Sequence, residues 1–143
     1  MDRKTFIRNT GCACVGLMAG SAVVSLLQGC AAIPVCKAVV EEGKICVPLS
    51  EWPAEEHTRI VRAPQLEYDL LVVRKADGSY RALEMKCTHA DNRLSANPKG
   101  LVCTLHGSTF GLEGEVTNGP AIAPLKTFPV YQEQNNLYIQ VKS

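Results

Sequence analysis

From Cys87 to Phe110 the chain reads Cys-Thr-His-Ala-Asp-Asn-Arg-Leu-Ser-Ala-Asn-Pro-Lys-Gly-Leu-Val-Cys-Thr-Leu-His-Gly-Ser-Thr-Phe, and two of its three histidines fall here, each close to a cysteine. Cys87-x-His89 and Cys103-x-x-His106 place one thiolate and one imidazole on each of two segments, with thirteen residues between them. Thiolates suit zinc and iron–sulfur centres, and imidazole suits zinc, copper or iron. Two chelating loops this close in sequence can shut on one centre. Residue types and spacing alone leave zinc and iron–sulfur open. Zinc fingers keep their cysteines together and their histidines together. Here the order is Cys, His, Cys, His, which weighs against that arrangement.

Around this stretch lie short apolar or alternating runs with no long helical period: Ile45–Leu49, Arg59–Arg62, Tyr68–Arg74, Tyr80–Met85, Leu101–Leu105, Val130–Glu133 and Leu137–Val141. Leu70-Leu71-Val72-Val73 is apolar without a break, the pattern of a strand buried on both faces. Asp77-Gly78 between two runs signals a hairpin, because glycine accepts the positive φ that a tight turn requires. Asn135-Asn136 serves the last hairpin in the same way. Pro98, Gly100, Pro120, Pro124 and Pro129 exclude long helices. The expected fold is therefore all-β, made of small antiparallel sheets over residues 44–143. Residues 30–43, with Pro34, Glu41, Glu42 and Gly43, read as a tether into it. A chain of 143 residues with 46% hydrophobic content has room for one such domain with a modest core.

The motifs resemble the Rieske family. His106-Gly107-Ser108-Thr109-Phe110 is similar to its C-x-x-H-G-S-x-[YF] signature, and Asn118-Gly119-Pro120-Ala121 with Pro124-Leu125 resembles the proline loop that covers its cluster. The resemblance runs from about Gly43 to Ser143. It implies a Rieske-type fold with two cluster-binding loops and one [2Fe–2S] cluster. Cys87 and Cys103 would hold one iron and His89 and His106 the other, a ligand set that raises the potential above that of an all-Cys cluster. It also implies that Gly107 lets the backbone approach the inorganic sulfurs, and that the Ser108 hydroxyl bonds a bridging sulfide. Leu105, Phe110 and Pro120 would frame the cluster as an apolar cap on which a partner docks. Two departures bear on the potential. The high-potential members in cytochrome bc complexes join the two loops by a disulfide, but the corresponding positions here are Asn92 and Leu105. They also carry Tyr where this chain has Phe110, so one hydrogen bond to a cysteine sulfur is lost. Replacing Tyr with Phe points to a potential below that class.

The N-terminus reads as an export signal. A basic start, Met1 to Arg8, is followed by no charged residue from Gly11 to Gly29. Residues 2–8 resemble a twin-arginine signal with Lys4 in place of the second Arg, the route suited to cargo that folds around a cluster before export. Leu26-Leu27-Gln28-Gly29-Cys30 resembles a lipoprotein box, which implies lipidation of Cys30 and cleavage before it. An uncleaved transmembrane helix over 11–29 and simple secretion are the alternatives, and all three put the domain on the periplasmic side.

Of the remaining cysteines, Cys36 and Cys46 are either a disulfide or two unrelated thiols, with Cys46 buried in the first strand. His57 reads as a surface residue and Trp52 as a core plug. Three of the 15 basic and one of the 14 acidic residues lie in 1–29, which leaves 12 and 13 in the rest. Nucleic acid is therefore not an expected partner. The expected function is non-enzymatic single-electron transfer on the outer side of a membrane, between a donor and an acceptor that the sequence does not identify. The alternatives are the small electron-transfer subunit of a respiratory oxidoreductase, either a bc-type complex or a molybdenum oxidase, and the ferredoxin component of an oxygenase.

Overall fold

The computed structural model describes residues 32–142, and the signal and lipidation readings on 1–31 lie outside it. Thirteen strands follow one another: β1 Val35–Lys37, β2 Val40–Glu41, β3 Lys44–Pro48, β4 Thr58–Arg62, β5 Leu70–Arg74, β6 Tyr80–Glu84, β7 Ser95–Asn97, β8 Gly100–Val102, β9 Thr109–Phe110, β10 Val116–Asn118, β11 Thr127–Phe128, β12 Val130–Glu133 and β13 Asn136–Gln140. They form three sheets, ordered β1-β4-β5-β6-β11, β10-β9-β8-β7 and β12-β13-β3-β2. Every pairing is antiparallel except that of β1 with β4.

Among the described residues, the first sheet has a core on each side because β5 is apolar on both faces. Leu70 and Val72 enter one core with Val61, Ala82 and the inward residues of the third sheet, Ile45, Val47, Leu137 and Ile139. Leu71 and Val73 enter a second core with Leu83, Met85, Leu101 and Phe110. A fully buried side chain of this kind contributes about 1.5–3 kcal/mol relative to exposure. The strict alternation of β3 and β13, by contrast, leaves Cys46 and Tyr138 outward and opposite one another. Trp52 is buried, as expected of a core plug. The guanidinium groups of Arg59 and Arg74 lie 5.3 and 5.2 Å from its ring centroid, and its Nε1 donates to the Glu56 carbonyl at 2.8 Å.

Three expectations change. Residues 30–43 are not a free tether in their described part, since Val35–Lys37 pairs with Ile60–Arg62 and Val40–Glu41 pairs with Lys44–Ile45. The last hairpin turns one residue earlier than Asn135-Asn136: Glu133 pairs with Asn136, and Gln134 takes the positive φ of 52°. Of the two readings of Cys36 and Cys46, the structure has two free thiols, but Cys46 is exposed and not buried. Cys36 sits on the first sheet and packs partly against the core, whereas Cys46 is exposed on the third. The hairpin at Asp77-Gly78 forms as expected, with Gly78 at φ 83° and the Asp77 carboxylate accepting from the Ser79 N–H at 2.9 Å.

Candidate metal centre

The two motifs occupy two loops, each closed at its base by backbone hydrogen bonds. The first leaves β6 and returns towards β7. Lys86 bridges to Arg93, the Leu94 N–H donates to the Met85 carbonyl at 3.0 Å, and the Cys87 N–H donates to the Asn92 carbonyl at 2.9 Å. The second joins β8 to β9, with the Cys103 N–H donating to the Ser108 carbonyl at 2.8 Å and the Gly107 N–H to the Cys103 carbonyl at 3.0 Å. Gly107 sits at φ 82°, in the left-handed region. A Cβ there would meet no protein atom within 4 Å. What the protein needs from this glycine is the backbone conformation rather than space.

The segment between β10 and β11 closes over both loops and is held by three side chains. Thr88 Oγ1 donates to the Ala123 carbonyl at 2.6 Å, Asn118 Nδ2 donates to the Gly107 carbonyl at 3.2 Å, and the Ala121 N–H donates to Ser108 Oγ at 3.0 Å. This segment carries Pro120, which is exposed, as is Leu105 on the second loop. Phe110 is not part of that exposed cap. Its ring is buried beneath the loops, in the same core as Cys87 and Cys103. The alternation along β9 turns it inward, while its neighbour Thr109 bonds across the sheet edge to Thr117 at 2.7 Å.

The four candidate ligands separate by type. Cys87 and Cys103 are buried. His89 and His106 are exposed, edge to face, with ring centroids 5.0 Å apart at 88°. Burial pushes the Cys103 thiol up. The Asn92 amide, the Leu105 N–H, the Cys87 thiol and the His106 N–H all bond its sulfur, however, and together they bring it below the ordinary thiol range. Asn92 Nδ2 lies 3.4 Å from that sulfur. A buried thiol pair beside an exposed imidazole pair suits two irons with two protein ligands each, completed by sulfides. Among the described residues, no three His, Cys, Asp or Glu side chains converge as ligands of a single ion.

Sequence reasoning named the four candidate ligands, Gly107, Ser108, Phe110 and Pro120. It missed the roles of Thr88, Asn92 and Asn118. Thr88 and Asn118 lie inside quoted motifs, so their position was a signal. Their partners were not legible, being 35 and 11 residues away along the chain.

A model of the Rieske [2Fe-2S] domain family matches residues 46–129. The large oxygenase component of the naphthalene 1,2-dioxygenase system of Pseudomonas fluorescens is 39% identical over 56 residues, which cover 36% of this chain and only 12% of that protein. The ferredoxin subunit of the 3-phenylpropionate/cinnamic acid dioxygenase of Photorhabdus laumondii is 34% identical over 70 residues, covering 46% of this chain and 67% of the subunit. Among solved structures, the cyanobacterial plasma membrane Rieske protein of Synechocystis has a TM-score of 0.50 at 27% identity, covering 58% of this chain and 85% of that one. A complex of oxygenase and ferredoxin in carbazole 1,9a-dioxygenase, with a TM-score of 0.54 at 22% identity over 71% of this chain and 96% of that one, shares the fold. With the family matched across both motif loops, the chain belongs to the Rieske [2Fe-2S] domain family and binds one [2Fe–2S] cluster.

Proposed function

We propose that Cys87 and Cys103 hold one iron and His89 and His106 the other, and that the chain is a non-enzymatic one-electron carrier on the outer side of a bacterial membrane, anchored by a lipid on Cys30. The bound cluster supplies a site that accepts and returns a single electron. The observation that carries the ligand assignment is the separation of a buried thiol pair from an exposed imidazole pair. The protein's own residues keep the thiol side dry and leave the imidazole side open, so redox partners approach over His89 and His106. Leu105 and Ile122, both exposed, belong to the same group of loops and offer apolar contact there. Export is supported by the basic start, the uncharged stretch 11–29 and the lipoprotein-like Leu26–Cys30. Similarity to a plasma membrane Rieske protein accords with it.

A second reading, the ferredoxin component of an oxygenase, is favoured by the similarity to a dioxygenase ferredoxin subunit. Such components work in the cytoplasm and need no leader, so residues 1–29 count against it. A quinol-oxidising subunit is disfavoured by Asn92, Leu105 and Phe110, which stand where the high-potential members have their disulfide and tyrosine.

Two measurements test the proposal. Reduced full-length protein should give the rhombic EPR signal of a mixed-ligand [2Fe–2S] centre; a colourless protein with one zinc per chain would refute the ligand assignment. Mass analysis of protein from its native membrane should find an acylated Cys30 as the N-terminus. An intact Met1, or a soluble chain starting elsewhere, would refute the anchor. Purification with an oxygenase subunit would favour the second reading.

A further inference from the structure

Asn92 touches both candidate thiolate ligands of one iron. Its main-chain carbonyl accepts the Cys87 N–H at 2.9 Å, and its side-chain Nδ2 reaches across to the second loop to donate to Cys103 Sγ at 3.4 Å. The residue is half-buried and the sulfur it faces is fully buried, so water competes poorly for that contact. We propose that Asn92 is a positioning residue that ties the two ligand loops together and sets the redox potential by donating a hydrogen bond to the Cys103 thiolate. This rests on the ligand assignment above.

The physical argument is a charge balance. Two ferric ions, two sulfides, two thiolates and two neutral imidazoles sum to zero. One electron from a donor protein reduces one ferric ion to ferrous, and the group becomes singly negative. Part of that added charge resides on sulfur. An N–H aimed at sulfur therefore stabilises the reduced form more than the oxidised one and raises the potential. A carboxamide keeps its donor at every pH at which the protein is folded, and a hydrogen bond to an ionised partner is about twice as strong as one between neutral groups. Phe110 has no hydroxyl to offer the thiol side, which leaves Asn92 as the side-chain amide donor on that sulfur.

The test uses full-length Asn92→Ala and Asn92→Asp protein. Asp keeps the side chain's size and the main-chain link to Cys87 but, when ionised, has no proton to donate. Absorption and EPR establish whether the cluster is present, and voltammetry reads its potential. Both variants should hold the cluster at a lower potential, with Asp the lower of the two because it adds negative charge. If the reduced form is weakened tenfold relative to the oxidised one, the shift is about 59 mV for a one-electron couple. An unchanged or raised potential in the loaded variants would overturn the proposal. Loss of the cluster in both would also overturn it, by reducing Asn92 to an assembly role. A wild-type protein without the mixed-ligand signal would instead refute the ligand assignment.

Discussion

Ser108→Ala separates the hydrogen bond that the hydroxyl accepts from the one that the family resemblance implies it donates. Ser108 is fully buried, and its Oγ accepts the N–H of Ala121, itself 3% exposed, at 3.0 Å. Removing the oxygen leaves that N–H without a partner in a place water does not reach, at a cost of about 1–3 kcal/mol. The segment closing over the loops should then open more readily. At about 1.4 kcal/mol per tenfold, its amide exchange should accelerate roughly five- to a hundredfold. Hydrogen exchange read by mass spectrometry on the loaded protein, over a peptide covering residues 118–125, measures this directly. Pro120 and Pro124 carry no amide, which leaves few signals and a clean reading. Exchange across β5 should not change. Because Ser108 Oγ only accepts from Ala121, its own proton remains free to donate to a bridging sulfide, as the family resemblance implies, so the potential should fall as well. Unchanged exchange at 118–125 would refute the claim that this hydrogen bond holds the segment down. Acceleration spread evenly over the domain would show that Ser108 matters to general stability instead.

Gly100→Ala should unfold the second sheet or prevent soluble expression. Its φ is 153°, and a Cβ would overlap the Phe110 carbonyl oxygen, which is backbone and cannot swing aside; circular dichroism of the purified variant checks this. Phe110→Tyr should raise the potential at every pH if its hydroxyl reaches the Cys87 or Cys103 sulfur, and voltammetry that finds a lower potential refutes that account of the buried side. The Asp77 carboxyl is held below its ordinary range, chiefly by the Ser79 hydroxyl and also by the Ser79 N–H. With the folded value below the unfolded one, the turn keeps this support above the ordinary carboxylate range and loses it as pH falls through the lowered folded value. Ser79→Ala should bring the Asp77 titration, followed by NMR, back up.

All but one of the strands that the sequence declares have enough residues to show a period, the exception being the three-residue β8. β5 announces burial on both faces by its unbroken apolar run, and β3 and β13 announce a single buried face by alternation. β1, β2, β7, β9, β10 and β11 are two or three residues long, too short for any period to rise above composition. β1 was concealed further by its partner. It pairs in parallel with β4, more than twenty residues on, and no local turn marks a parallel pairing. The sequence leaves the pairing of Cys36 and Cys46 open for the same reason. They are close along the chain, but β1 and β3 join different sheets, so chain distance says little about thiol distance.

At the site, the candidate ligands were legible because few residue types can hold iron and sulfide, and four of them stand at characteristic spacings. Their surroundings were not, because a hydrogen bond between loops depends on how three separate segments pack. Phe110 illustrates the difference. Its place after the second motif suggested a cap, yet the pleat of β9 directs it underneath, against the buried thiols. That burial divides the site physically. On the thiol side the surroundings are apolar and close-packed, so each N–H donor near sulfur acts in a medium of low polarisability and weighs heavily on the reduced, more negative state. On the imidazole side the two rings are exposed to water, and an individual protein dipole there is screened. Substitutions at Asn92, Ser108 and Phe110 should therefore move the potential, whereas substitutions at Leu105 and Ile122 should change how fast electrons pass to a partner while leaving the potential nearly where it was.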